Sequence, residues 1–371
     1  MTDFAFHLDD DVSLVAPHPR YAPDVFRMIN DDRERMRRWF SWVDDINGEM
    51  PIRSHYAERC QQLAKGTGGA WLIREAGRIV GHIGITPKFE GHAGEIEYWF
   101  GSPPPSGKGI MTRCATRVIE HGHAAGLRRV EVRCSHLNDR SRRVIERLPV
   151  QYEATLKNGD PLPDGTISDH HVWSSVVEQT PREAEPIRLT LATEHPDLQL
   201  VLPQKLDASE MFSIIDSDRD RLGHWLLFVD RTHAPADVEA WFRLVWQGFC
   251  SGSGVGVLMI AKGQVVGSVG VVGVTPANKC GEIGFWIHRD FEGRGYITAA
   301  VKAVEQWAWQ HLDLVRLQLR IEDGNDRSMA VAERCGFSRE GLLRSEDIHR
   351  GRPGNLVVFG KTPAATASAS V

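Results

Sequence analysis

Several absences bound this chain before any motif does. Its six cysteines, Cys60, Cys114, Cys134, Cys250, Cys280 and Cys335, are scattered with no C-x-x-C pair. That excludes a disulfide framework and the usual zinc spacing, and fits thiols kept reduced. No apolar run approaches the ~18 residues needed to span a bilayer. The opening residues, Met1 to Asp11, lack the basic start and apolar stretch of a secretory signal. An excess of positive charge is also missing: 44 Lys and Arg against 49 Asp and Glu leave a formal net charge of −5. A strongly basic nucleic-acid binder is thereby disfavoured. The histidines include His121/His123 and His170/His171 but show no metal-ligand spacing, so no metal is expected. The expected setting is cytoplasmic, with no membrane and no direct nucleic-acid binding. At 371 residues the chain is long enough for two domains.

What is present is a repeat. Gly94-Glu95-Ile96-Glu97-Tyr98-Trp99-Phe100 leads to Gly107-Lys108-Gly109-Ile110-Met111-Thr112 and then Asn138-Asp139-Arg140-Ser141. Gly281-Glu282-Ile283-Gly284-Phe285-Trp286-Ile287 leads to Gly293-Arg294-Gly295-Tyr296-Ile297-Thr298 and then Asn325-Asp326-Arg327-Ser328. Upstream, Ile29-Asn30-Asp31-Asp32-Arg33-Glu34-Arg35 matches Ile215-Asp216-Ser217-Asp218-Arg219-Asp220-Arg221. The offset, about 186 residues, suits a whole duplicated domain and not a solenoid repeat. We expect domains at 1–180 and 187–362, a seam in the proline-containing stretch Gln179 to Pro186, and a flexible tail over 363–371.

Each half reads in the same order. A first strand (Ser13 to Ala16; Gln199 to Leu202) precedes helical segments carrying Trp39 or Trp225, which are expected to pack in the core or to shape an acceptor pocket. A hairpin follows (70–74 with 78–85; 257–261 with 265–272), its short turn containing Gly77 or Gly263. Next come the acidic strand, the glycine turn and an amphipathic helix whose buried face in the second half is expected at Ile297, Ala300, Val301, Val304 and Ala308. An alternating strand (Val130, Val132, Cys134; Val315, Leu317, Leu319, Ile321), a helix after the Asn-Asp-Arg-Ser turn and a closing hairpin complete each half. The pattern implies an α+β fold, a mixed sheet with helices on both faces.

The glycine turns carry the first chemistry. Each puts small residues and one cation, Lys108 or Arg294, just before a helix, where backbone N–H groups and the helix dipole favour a phosphate. The same residues also suit a plain strand-to-helix turn. A Walker A loop is excluded because five residues separate Gly101 from Gly107, one too many, and Gly109 follows Lys108. A dinucleotide fingerprint is excluded because neither copy has its third glycine.

In this order the motifs resemble the GNAT superfamily of acetyl-CoA-dependent N-acyltransferases, and most closely the RimJ/RimL-like branch, which acetylates N-terminal amines of ribosomal proteins. The supporting phrases include Arg37-Arg38-Trp39-Phe40-Ser41-Trp42-Val43-Asp44, the acidic strand, the glycine turn and Asp169-His170-His171-Val172-Trp173-Ser174. The resemblance implies a tandem GNAT fold, each domain a mostly antiparallel mixed sheet flanked by helices. It implies acetyl-CoA as co-substrate and a primary amine as acceptor, most directly a peptide or protein N-terminus, attacking the thioester without a covalent intermediate. Two rival readings are a small-molecule amine acceptor and a non-catalytic acyl-CoA-binding protein.

By resemblance, the cofactor meets Trp99, Phe100, Gly107, Lys108, Gly109, Ile110, Met111, Thr112 and Asn138 in the first half. In the second half it meets Trp286, Ile287, Gly293, Arg294, Gly295, Tyr296, Ile297, Thr298 and Asn325. Glu95 and Glu282 are candidate bases, with a cross-strand ion pair as the alternative. Backbone N–H groups where the acidic strand splays, near Trp99-Phe100 and Trp286-Ile287, would stabilise the oxyanion. Ser141 and Ser328 are candidate proton donors to the departing thiolate, with helix capping as the alternative.

The copies also depart from the family pattern. Ser106 or Glu292 stands at its first position and Met111 or Ile297 at its last, and Glu292 is expected to point outward. Leu148-Pro149-Val150 stands opposite Cys335-Gly336-Phe337, and Asp169 opposite Asn355. The second half, with Arg294, Gly336-Phe337 and Glu282, is expected to be the catalytic one. The late basic cluster Arg344, His349, Arg350 and Arg352 is expected to be a solvated loop.

Overall fold

The computed structural model describes residues 3–66, 68–88, 92–102, 105, 107–179, 185–275 and 277–363. Ser106, most of the expected seam and nearly all of the expected tail lie outside the described residues. The chain forms two compact units, residues 3–189 and residues 190 onward. Among the described residues no helix is long and apolar enough to cross a membrane.

The first unit runs β1 (Ala5–His7), β2 (Val12–Val15), α1 (Ala22–Asn30), α2 (Arg33–Arg37), α3 (Glu49–Lys65), β3 (Gly69–Glu75), β4 (Arg78–Lys88), β5 (Ala93–Phe100), α4 (Ile110–Ala124), β6 (Arg129–Ser135), α5 (Asp139–Ile145), β7 (Gln151–Pro161) and β8 (Ile167–Val176). Its strands lie in the order β1-β2-β3-β4-β5-β6-β8-β7. Described neighbours are antiparallel except β5 and β6, which are parallel. The second unit repeats this with β9 (Thr190–Ala192), β10 (Leu198–Val201), α6 (Ala208–Ser217), α7 (Arg219–Trp225), α8 (Pro235–Ser251), β11 (Val255–Ala261), β12 (Gln264–Val272), β13 (Cys280–Ile287), α9 (Tyr296–His311), β14 (Arg316–Glu322), α10 (Asp326–Arg334), β15 (Ser338–His349) and β16 (Arg352–Lys361). Its order is β9-β10-β11-β12-β13-β14-β16-β15, and here β13 and β14 are the parallel pair.

Local chemistry explains these elements. The β3–β4 and β11–β12 hairpins turn through Ala76-Gly77 and Lys262-Gly263, every one at positive φ, as a two-residue primed turn requires. A bulge follows at the same place in each copy, at Ile73/Arg74 and Met259/Ile260. Helices α1–α3 bury Met28, Ile29, Met36, Ile52 and Tyr56 against the sheet, and α6–α8 bury Met211, Ile215, Leu222, Val238 and Phe242. Trp99 and Trp286 join these cores from β5 and β13.

Four expected core positions move. Tyr296, not Ile297, starts the buried face of α9, and Ile297 is half-exposed. Val315 lies just before β14 and is exposed, whereas Leu317, Leu319 and Ile321 are buried. Trp39 and Trp225 are half-exposed and belong to neither helix-face core.

Asp169 and Asn355, a difference between the halves in sequence, do the same work. Asp169 accepts the Asn158 N–H at 3.1 Å and Asn355 the Ser345 N–H at 3.0 Å, holding the matching positive-φ residue of each closing hairpin. In the basic cluster, Arg350 is paired with Asp230 at 2.6 and 2.8 Å, so this residue ties the closing hairpin to the turn after α7. The His349 side chain lies outside the described residues.

Two kinds of glycine are needed here. A Cβ on Gly81 or Gly267 would fall on the Trp99 or Trp286 carbonyl oxygen. Gly109 and Gly295 have space around them but sit at φ 67° and 80°. Gly81→Ala and Gly267→Ala are expected to destabilise by about 1–3 kcal/mol through overpacking, and Gly109→Ala and Gly295→Ala by about 1–2 kcal/mol through backbone strain. Urea unfolding of the four variants measures this, and a parental midpoint for Gly267→Ala would show that the strands part freely.

Candidate active site

The parallel strand pair opens partway along in both units. Pairing of β5 with β6 covers Ala93 to Ile96, yet β5 continues to Phe100. Pairing of β13 with β14 covers Cys280 to Glu282, yet β13 continues to Ile287. On the other side the ladder is intact: Gly101 gives its N–H to Val80 O and His288 gives its N–H to Val266 O. Because strand N–H groups alternate sides, those of Phe100 and Ile287 turn the other way, into the gap.

An arginine holds the end of each opened strand. Arg35 donates to Phe100 O at 2.6 Å and is itself held by Asp32. Arg221 donates to Ile287 O at 2.6 Å and is held by Asp218, whose side chain is wholly buried. Burial pushes the Asp218 carboxyl up, but hydrogen bonds from Arg221 and Arg289 outweigh it and keep it below the ordinary carboxylate range. The neighbouring arginines are duplicated too: Arg33 binds the carbonyls of Val43 and Ile46, and Arg219 those of Val229 and Thr232.

Past the gap, Gly109 and Gly295 are the N-caps of α4 and α9. The first-turn N–H groups, at Met111 and Thr112 or Ile297 and Thr298, have no acceptor within the helix and can face an anion. Lys108 lines a cleft of about 240 Å³ together with Asp9, Asp11, Glu75 and Arg113, and there Asp9 pairs with Arg113. Arg294 donates to Asp290 O at 2.8 Å and lies over the Phe291 ring. Glu292 does not point outward: Arg221 binds it at 2.6 Å and Arg327 also pairs with it, linking the glycine turn to α7 and α10.

The candidate bases are found in ion pairs. Arg320 donates to Glu282 at 2.6 Å from the neighbouring strand. Glu95 pairs with Lys88 and lies 3.9 Å from Arg133. The serines are not caps, because the asparagines are: Asn138 Oδ1 accepts the Ser141 N–H at 3.1 Å and Asn325 Oδ1 the Ser328 N–H at 3.2 Å. This leaves the serine side chains for other work. The Ser141 hydroxyl meets the Tyr98 hydroxyl at 2.9 Å, and burial raises the Tyr98 pKa. Phe285 replaces Tyr98 in the second half, so Ser328 has no such neighbour at that position.

One cluster was not foreseen from the sequence. On the helix face of the first unit, beside the opened strand, His55 and Arg59 of α3 meet His82 of β4 and Glu97 of β5. Their His and Glu ligand atoms lie within 4.8 Å of one another. Arg59 bonds Glu97, and His82 Nε2 lies 3.7 Å from the same oxygen. The His82 ring is sandwiched between Tyr56 and Trp99, with centroids at 5.9 and 5.7 Å. Such donors suit a metal, but the Arg59 guanidinium already occupies the carboxylate, putting a fixed positive charge where a cation would sit.

Burial lowers the pKa of His82 and, with the charges of His82 and Arg59, brings His55 down to about 4. For Glu97, burial alone would raise the carboxyl, yet the neighbouring His82 ring and the Arg59 charge hold it at about 2. The second unit has none of this. At the matching positions stand Trp241, Val245, Ser268 and Gly284, and the register agrees, with His82 opposite Trp99 and Ser268 opposite Trp286. The signal available in the sequence was the set of places where the two copies disagree.

The model of the acetyltransferase (GNAT) domain matches twice, over residues 11–150 and 197–338. A Bacillus subtilis protein named as a ribosomal N-acetyltransferase, YdaF, is 30% identical over 171 residues, 45% of this chain and 90% of the relative. The ribosomal-protein-serine acetyltransferase of Escherichia coli is 29% identical over 91 residues, 24% of this chain and 51% of the relative. The chain thus spans nearly all of the first relative and about half of the second. Among solved structures, the microcin C7 self-immunity acetyltransferase MccE, in complex with acetyl-CoA and AMP, aligns with a TM-score of 0.44 at 21% identity, covering 45% of this chain and 93% of that one.

Three histidines held below their ordinary pKa make the first unit acid-sensitive. His55 and His121 are each held down to about 4, and His82 is lowered, against an ordinary value of 6.5. Between those values the unfolded chain binds protons that the folded unit does not, so stability falls as pH drops through this window. Glu97 adds nothing there, since its contribution is lost only as pH falls from the ordinary carboxyl range through about 2. Hydrogen exchange of first-unit amides at pH 7 and pH 5 should show weaker protection at pH 5; stronger protection would contradict the assignment.

Proposed function

The chain belongs to the GNAT acetyltransferase family and carries its domain twice, and from that premise we propose that it acetylates the N-terminal α-amine of a peptide or protein. As a member of that family it is an acetyl-CoA-dependent acyltransferase that moves an acetyl group to an amine. The finer reading, an α-amine acceptor, is supported by its similarity to YdaF and to the ribosomal-protein-serine acetyltransferase.

The observation that carries the reading is the opened strand followed by a glycine-capped helix, built twice. An opened strand leaves a slot for the thin pantetheine arm of acetyl-CoA, and the helix N-terminus meets its pyrophosphate. In each half the cofactor would lie along the opened strand (Trp99 and Phe100; Trp286 and Ile287) and the capped first turn, with Asn138 or Asn325 beyond. The N–H groups of Phe100 and Ile287 would meet the thioester oxygen as it gains charge. Ser141, backed by Tyr98, and Ser328 would hydrogen-bond the departing thiolate.

For Glu95 and Glu282 the observed ion pairs favour holding strands together over accepting a proton. Release from Lys88 or Arg320 would have to precede any role as base.

Two experiments test this reading. Calorimetric titration with acetyl-CoA should show binding that Gly109→Trp removes from the first half and Gly295→Trp from the second; a protein that binds no acetyl-CoA would sink the reading. Mass spectrometry after incubation with acetyl-CoA should show acetylation of peptides with a free N-terminus and none of the same peptides with a blocked one. Modification of polyamines or aminoglycosides with peptides untouched would transfer the reading to small-molecule acceptors.

A further inference from the structure

The two halves share a backbone plan and a cofactor-side plan but differ on the face where an acceptor must arrive. In the first, the opened stretch of β5 begins at Glu97. The Glu97 side chain is 46% exposed and His55 is exposed, while Arg59 and His82 are buried behind them. The cluster is therefore a cleft with a polar floor and an open mouth. Trp99, Trp42 and Phe40 continue it as an aromatic wall, with ring centroids 6.0 and 5.5 Å apart. In the second half a tryptophan, a valine, a serine and a glycine stand at these positions, none of them able to handle a proton or a charge.

We propose that the first half is the acetylating half, with His55 as the base and Glu97 as the group that receives the amine. This rests on the acyl-transfer reading above and reverses the expectation that the second half does the chemistry. The neutral amine attacks the thioester carbonyl, the C–N bond forms, and the carbonyl oxygen becomes an oxyanion facing the Phe100 N–H. The nitrogen now bears a positive charge beside the Glu97 carboxylate, which stays ionised. His55 takes the proton from that nitrogen and passes it to solvent at the mouth. Collapse of the oxyanion breaks the C–S bond, and the thiolate leaves to become a thiol with a proton drawn through the Ser141–Tyr98 hydroxyl pair.

A nitrogen that has added to a carbonyl is far more acidic than the free amine, which eases transfer of its proton to the neutral His55 imidazole. The groups facing His55 are consistent with this: Tyr56 and Arg59 of its own helix, His82 of β4 and Glu97 of β5 are its charged or titratable neighbours. Arg59 and His82 are positioning residues, since both engage the same Glu97 oxygen and leave Oε2 for the amine.

The test uses the full chain and the two exposed members, His55 and Glu97. His55→Ala and Glu97→Gln should each lower kcat/KM for a peptide amine by roughly 10- to 100-fold, with acetyl-CoA binding unchanged; the melting temperature stays parental in His55→Ala and falls in Glu97→Gln, which leaves the buried Arg59 guanidinium without its carboxylate. Added imidazole should restore His55→Ala and leave Glu97→Gln unrescued, which a merely structural histidine would not do. Gly109→Trp should abolish turnover. Parental rates in both cleft variants, a His55→Ala defect indifferent to imidazole, or turnover that follows the second half would overturn the assignment while leaving the acyl-transfer reading standing. A parent protein that acetylates no amine would instead remove that reading, and this one with it.

Discussion

The opened strand depends on one interaction: an arginine from the helix layer that claims the last carbonyl of the acidic strand. A β-strand end tends to complete its ladder, because an unpaired backbone group costs free energy when shielded from water. Arg35 and Arg221 give the Phe100 and Ile287 oxygens another partner, and Asp32 and Asp218 hold the arginines in place. With that oxygen bound elsewhere, β5 and β13 need not zip onto β6 and β14. The gap, the inward N–H and the entry angle of the glycine turn all follow. In the second half Asp218 also binds Arg289, at 2.5 Å and through its backbone N–H, so this end is tied at more points.

Much of this was legible in the sequence, and the legible parts share a property. Gly109 and Gly295 could be read because a positive φ at a helix start narrows the choice of residue, and the hairpin turns because a primed turn does the same. Alternating residues such as Leu317, Leu319 and Ile321 reveal a strand by their period alone. Ile297 was misplaced because spacing alone does not show that the first turn of a helix buries Tyr296 in its place. The Asp-x-x-Arg spacing of Asp32/Arg35 and Asp218/Arg221 was visible in the repeat, but its purpose was not. The carbonyl it serves lies on a strand some 65 residues away.

The cleft of the first half was illegible for a related reason. Its members come from α3, β4 and β5, at positions 55, 59, 82 and 97, and no two share a motif. Only superposing the copies isolates them, because duplication holds the scaffold constant and lets the exceptions stand out. The same comparison removes a false difference: Asp169 and Asn355 differ in charge but accept the same backbone N–H. Burial then gives the cleft its character. It keeps His82 and His55 neutral, while Arg59 and His82 keep Glu97 ionised against that same burial.

The Glu292 pairings separate the halves in a further way. Glu292 joins two arginines just ahead of the second glycine turn, so that half supplies a counter-anion of its own. The first half has serine at that place and no built-in substitute from this residue. A polyanion arriving at the second half must compete with a carboxylate already bound to Arg221 and Arg327, a competitor that the matching residue of the first half does not supply.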